Sequence, residues 1–192
     1  MSIDVSHPGT VPDQTAALPA GTWVIDPAHS EIGFTARHLM SKVRGRFETF
    51  EGRIQTGEAL SATATIDLNS INTHEANRDA HLRSGDFFDV ENHGPMTFAA
   101  TAVEAGGSGL LVTGDLSIKG VTRSVVLDVE VLGSESDPWG GTRVGFEGTT
   151  QISRKDFGID FNIPLDGGRL MIGDKIDITV TVEAVLQEQA AA

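Results

Sequence analysis

The sequence predicts an all-β domain: an antiparallel β-barrel of about eight long strands with a short helical insertion near residues 75–90. Three observations predict it. Apolar and polar residues alternate along successive segments, which gives each one buried face and one wet face and favours antiparallel over parallel sheet. No wound α/β rhythm appears. A single stretch, His74–Phe98, does not alternate and interrupts the series. Eight such strands can close around packed side chains or one ligand. Two stacked sheets are the alternative.

Residues 1–20 carry Pro8, Gly9, Pro12 and Pro19 with little apolar periodicity, so they read as a disordered arm before a domain spanning 21–186, with 187–192 as a tail. Trp23–Asp26 opens the first strand and Pro27 ends it. Trp23 suits the core or a plug at the barrel end. From Ser30 to His38, Ile32, Phe34, Ala36 and His38 share one face, and Glu31, Thr35 and Arg37 the other. His38 thus continues an apolar face, either as a hydrogen-bonded interior histidine or as a polar group reaching into a cavity. In the ribbon Val43–Ile54, Val43, Gly45 and Phe47 have one parity and Phe50, Gly52 and Ile54 the other. A bulge or bend near Thr49 reconciles them, because one extra residue flips the phase.

Leu60, Ala62, Ala64, Ile66 and Leu68 alternate inward, and their adjacent small alanines leave room in an interior. Met96–Glu104 leads through Gly106–Gly109 to the inward series Leu110, Val112, Gly114, Leu116 and Ile118. Lys119-Gly120 is a turn, and Val125, Leu127, Val129 and Val131 form the return strand. Ser134–Gly141 reads as a loop with Trp139 at its tip. Thr142–Ser153 then places Val144, Phe146, Gly148 and Ile152 on one face. Arg154–Asp174 is irregular, and Lys175–Leu186 closes the series with Ile176, Ile178, Val180, Val182 and Ala184 in phase.

Within the central stretch, residues 75–83 are mostly good helix formers, and Gly85 is a stop signal. Ala76, Ala80 and Arg83 share one side, while Glu75, Arg78 and Asp79 suit a wetter one. Phe87 and Phe88 add two apolar rings, and Gly94-Pro95 punctuates before the next strand. The segment reads as a cap on one end of the sheet structure or as a lid over a cavity.

Composition narrows the chemistry. Cysteine is absent, which excludes disulfides and thiolate catalysis. A net charge of −13 repels nucleic acid and anionic surfaces, so no nucleic acid partner is expected. The first residues show no secretory leader and no run approaches a membrane span, so a cytoplasmic protein without stable membrane insertion is expected. His74 and His81 would lie about 10 Å apart along a helix, too far to share an ion, and no HExxH occurs. GxSxG and phosphate-loop motifs are also absent. The expectation is therefore no metal, no cofactor and no catalytic residue. Arg78 and Arg83 either pair with Glu75 or Asp79 along the helix or meet an anionic group beside His81.

Several blocks together carry a resemblance: Trp23–Ser30 (WVIDPAHS), Phe34–His38 (FTARH), Gly45-Arg46-Phe47 with Phe50-Glu51-Gly52, Arg78–Asp89 (RDAHLRSGDFFD) and Gly114–Arg123 (GDLSIKGVTR). The chain resembles the YceI-like family, described as polyisoprenoid-binding proteins with a lipocalin-like barrel, from Thr22 to about Leu186. The resemblance implies an eight-stranded lipocalin-like barrel with the central segment as its insertion. It also implies noncatalytic binding, storage or transport of a long-chain isoprenoid, a quinone or polyprenyl phosphate, in the interior. Expected ligand-binding residues are Ile32, Phe34, Ala36, His38, Phe47, Ala62, Ala64, Ile66, Leu110, Val112, Val144 and Phe146 along the walls, with His38, Arg78 and His81 near the head group. The alternative is a stress-related accessory enzyme, or a structural homodimer whose cavity lipid is adventitious.

Overall fold

A computed structural model describes residues 18–58 and 60–187. Its strands are β1 (Gly21–Ile25), β2 (Glu31–His38), β3 (Ser41–Phe47), β4 (Phe50–Thr56), β5 (Ser61–Ile66), β6 (Ile71–Asn72), β7 (Met96–Gly106), β8 (Gly109–Ile118), β9 (Val121–Ser136), β10 (Thr142–Ser153) and β11 (Ile172–Leu186). The one α-helix among the described residues is α1 (Ala76–Arg83). All pairings between strands are antiparallel, in the order β1-β4-β5-β7-β8-β9-β10-β11, and β11 returns to β1. The sheet therefore closes on itself.

Two strands of the barrel are broken. β1 and β2 both pair with β11 and are separated only by a short turn at Pro27–His29, so they act as one bent strand. β3 and β4 form its neighbour, interrupted at Glu48 and Thr49, where the parity change predicts a bend. Counted this way, eight strands form the barrel. β6 adds to the free edge of β3.

Trp23 is fully buried, and its indole N–H donates to Thr56 Oγ1 at 2.9 Å. Thr56 in turn donates to the Pro19 carbonyl at 2.6 Å, and Leu18 packs on the core, so the described chain is tied to the barrel from its first residue. Most of the expected arm lies outside the described residues.

The expected loop at Ser134–Gly141 is shorter than the sequence suggests. β9 continues to Ser136, opposite Thr142, and the turn proper is held by Asp137, whose carboxylate accepts from the N–H groups of Trp139 and Gly141. A bulge between Val131 and Gly133 leaves Leu132 unpaired in the ladder, which resets the phase of a strand that would otherwise alternate past residue 131.

The helix is present, and Glu75 is exposed as expected, but three other positions depart from expectation. Ala76 and Ala80 are exposed, while Asp79 is buried. Local hydrogen bonding outweighs polarity here: Asp79 accepts from both the N–H and the hydroxyl of Thr73, which satisfies the carboxylate on burial. Glu75 caps the N-terminus by accepting from the N–H groups of Asn77 and Arg78. Arg78 donates to the Thr73 hydroxyl and carbonyl, and Arg83 to the carbonyls of Asn69 and Ile71. Both arginines thus pin the helix to the β6 segment rather than pairing with Glu75 or Asp79.

Candidate functional site

Two apolar chambers lie in the interior. One, of about 320 Å³, is on the helix side, walled by β2, β3, α1, the Phe87-Phe88 pair, the 154–172 segment and the start of β11. The other, of about 210 Å³, occupies the far half, walled by β4, β5, β7 to β9 and the later part of β11. Ile32, Met96 and Ile178 line both and form the waist between them. A third hollow, around Thr49, Asp67 and His93, is an open cleft of about 440 Å³ with a mixed polar lining, and lacks the enclosure of the other two.

Of the fourteen expected ligand-binding residues, thirteen line one of the two chambers. Ile32, Phe34, Ala36, His38, Phe47, Arg78 and His81 line the helix-side chamber. Ala62, Ala64, Ile66, Leu110, Val112 and Phe146 line the far one, with Ile32 common to both. Val144 belongs to neither; it is buried in the solid part of the core. The inward-facing glycines Gly45 and Gly114 add no space. Gly45 lies opposite Phe34, and a Cβ there would sit 2.5 Å from the Phe34 ring. Gly114 is likewise covered by Phe98. The room comes from the alanines.

The chambers differ in polarity. The far chamber has no charged residue in its wall; its polar groups are Gln55, Thr56, Ser61, Thr63 and Thr150. The helix-side chamber carries Arg37, His38, Arg78, His81 and Arg154 and no carboxylate. His81 closes one side: its ring meets Phe87 and Phe161 edge-on at 5.1 and 5.0 Å, and its Nε2 lies 2.8 Å from the Asp86 carboxylate. The helix is thereby joined to the 154–172 segment across the chamber.

That segment, irregular by its sequence pattern, supplies wall residues outside the expected set. Phe157, Ile159, Phe161 and Ile163 all face the chamber. They recur at period two, a signal hidden by the intervening Gly158, Asp160 and Asn162. Arg154 holds the segment in place. It is 4% exposed and donates to the carbonyls of Gly173, Ile159 and Phe161. Burial pushes its pKa down, against the pull of the Asp174 and Asp160 charges. Its Nη2 is the one buried side-chain polar atom without a partner among the described residues.

The WVIDPAHS block is structural. Asp26, His29 and Glu183 bring three possible ligand atoms together, but Arg143 fills the centre, 2.8 Å from Asp26 and 2.5 Å from Glu183, and also reaches Asp137. The Arg143 guanidinium, aided by His29, lowers the Asp26 pKa to about 2. The group is an ion-pair clasp joining the β1–β2 turn, the β9–β10 turn and β11.

A closed antiparallel barrel with an insertion over one end and two apolar chambers in series defines a class of small-molecule-holding β-barrels. A family profile described as YceI-like domain matches residues 23–184, and the chain belongs to that family. It is 39% identical to a UPF0312 protein of Vibrio parahaemolyticus over 181 residues, 88% of this chain and 92% of that one. A UPF0312 protein of Pseudomonas aeruginosa is 37% identical, with 83% of each chain covered. Among solved structures, a YceI protein of Campylobacter jejuni is 29% identical at a TM-score of 0.66, covering 79% of this chain and 90% of that one. The fold is shared with a polyisoprenoid binding domain of Saccharophagus degradans, 17% identical at a TM-score of 0.64, covering 88% of this chain and 100% of that one.

Proposed function

We propose that this protein binds a long-chain isoprenoid lipid noncatalytically and stores or carries it, with the tail in the far chamber and the polar head on the helix side. The observation that carries this reading is the polarity of the two chambers in series: uncharged walls beyond the waist, and histidines with cationic groups but no carboxylate before it. An amphiphile with an electron-rich or anionic head, such as a quinone or a polyprenyl phosphate, fits that order. Each CH₂ moved out of water contributes about 0.8 kcal/mol, so a tail spanning both chambers can offset its own ordering. The polyisoprenoid binding of the Saccharophagus degradans domain supports the same ligand class.

Native mass spectrometry of protein purified without detergent, followed by identification of the retained molecule, tests this. A retained isoprenoid that is recovered chemically unchanged after incubation is the expected result. Protein that is empty and takes up no isoprenoid on exposure would refute the proposal.

A further inference from the structure

The loops around the helix-side chamber carry a feature that the interior does not explain. The β2–β3 turn is Leu39-Met40, 50% and 93% exposed. Leu39 holds φ at +54°, a conformation that disfavours branched side chains and in a tight hairpin normally calls for Gly, Asn or Asp. A second loop lies beside it: the Leu39 N–H donates to the Met171 carbonyl, and the Met171 N–H to that of Ile163. On this loop Ile163 and Leu170 are 45% and 49% exposed. Four of the seven large apolar residues exposed among the described residues therefore sit on two hydrogen-bonded loops at one end of the barrel.

The charge here opposes that of the rest of the chain. From Ala36 to Phe47 there are four basic residues and no acid, in a protein of net charge −13. Arg46 is neutralised by Glu31 and Glu48. Arg37 and Lys42 face each other directly across the hairpin, and neither they nor Arg44 has a carboxylate within ion-pair distance among the described residues. Like charges opposite one another are unfavourable unless an anion screens them. Arg169 adds a further cation on the second loop, against the one carboxylate of Asp166.

We infer that this rim docks on an anionic lipid bilayer, with Leu39, Met40, Ile163 and Leu170 entering the interface and Arg37, Lys42 and Arg169 meeting lipid phosphates. Exposed apolar tips ringed by cations are the chemistry of interfacial binding. The net negative charge of the remainder keeps contact to this end, since charges beyond a Debye length of roughly 8–10 Å are screened. The same loops wall the helix-side chamber through Arg37, His38, Ile163 and Met171, so docking would present that chamber to the membrane. The direction of transfer rests on the lipid-binding reading; the docking does not.

Flotation of the full chain with vesicles separates these ideas. Binding is expected to phosphatidylcholine vesicles containing phosphatidylglycerol, and to be weaker to phosphatidylcholine alone. The double variant Leu39→Asn/Met40→Ser should lower binding about tenfold or more, since it removes two inserting side chains. Asn accepts the positive φ, so thermal melting should be kept or raised, which excludes unfolding as the cause. Arg37→Gln/Lys42→Gln should abolish the preference for phosphatidylglycerol. Failure of the wild type to float, or unchanged flotation of a folded rim variant, overturns the docking. So does a concentration-dependent dimer, lost in the Leu39/Met40 variant, without vesicle binding; the rim would then be a contact between copies. The Ala64→Phe variant is the control for the interior: it should float normally, so loss of lipid retention there with flotation intact would leave docking standing on its own.

Discussion

Ala64→Phe puts the far chamber to a direct test. Ala64 lines it on β5, beside Gly52 of β4 and Phe98 of β7. A phenyl group adds about 100 Å³ at protein packing density, roughly half of the 210 Å³ available. At about 30 Å³ per carbon, comparable to a water's share of the liquid, that removes room for three to four carbons of a tail. With about 0.8 kcal/mol per carbon, the loss is roughly 3 kcal/mol, or about a hundredfold in affinity. The helix-side chamber of about 320 Å³ is untouched. A ten-carbon isoprenoid alcohol, which needs about that volume, should therefore bind equally to both proteins. Calorimetric titration with short and long isoprenoids gives the two affinities, and denaturant unfolding of empty protein gives stability. Equal affinity for the long tail in a cooperatively folded variant would refute the placement of the tail. A loss of stability of about 1–3 kcal/mol without selective loss of long tails would mean that the chamber is closed-packed in solution.

Other expectations follow from contacts in the barrel wall. Gly45→Ala should cost about 1–3 kcal/mol in denaturant unfolding, because its Cβ would meet the Phe34 ring and Thr73; a neutral result would show that Phe34 moves freely. Thr56→Val should cost about 1–3 kcal/mol by leaving the Trp23 indole N–H unpaired at a fully buried site, and unchanged melting would point to a replacement partner. Asp26 has a folded pKa of about 2, below its ordinary value of 3.8. Its contribution is thus present above about pH 4 and fades as pH falls toward 2. Asp26→Asn should cost about 1 kcal/mol at neutral pH, allowing for screening at a partly exposed group, with the difference shrinking over that acid range. A difference that stays constant down to pH 2 would contradict the clasp.

Much of the barrel is readable in the sequence because one-sided burial writes a period of two into each strand. Ile32-Phe34-Ala36-His38 and Leu110-Val112-Gly114-Leu116 need no tertiary knowledge to be placed facing inward. Even the break at Glu48 and Thr49 is encoded, since parity changes across it. What was not readable depends on partners distant in sequence or on local hydrogen bonds. The burial of Asp79 follows from Thr73, not from the pattern of the helix itself. Val144 alternates like a chamber residue but lies where the core is filled, and alternation reports only the face, not the depth. Gly45 and Gly114 have inward parity, but that the rings of Phe34 and Phe98 cover them depends on neighbouring strands. The period-two series from Phe157 to Ile163 was present but lacks strand pairing through most of its length, and a strand search passes over it.

The closing strand has a kinetic consequence. β11 hydrogen-bonds β10, β2 and β1, and its register with β1 joins Trp23 to Leu186 and Ile25 to Ala184, across nearly the whole chain. Such long-range pairing makes folding slow, because much loop entropy is lost before closure is rewarded. During vectorial synthesis β1 and β2 emerge early and wait, with their apolar faces uncovered, for their last partner, the interval when such edges are most prone to pair wrongly. Ile176 and Ile178 wall the helix-side chamber, and Ile178, Val180 and Val182 the far one. Neither chamber is complete before the last strand docks, so any molecule held there enters a finished barrel or is enclosed in the final step of its assembly.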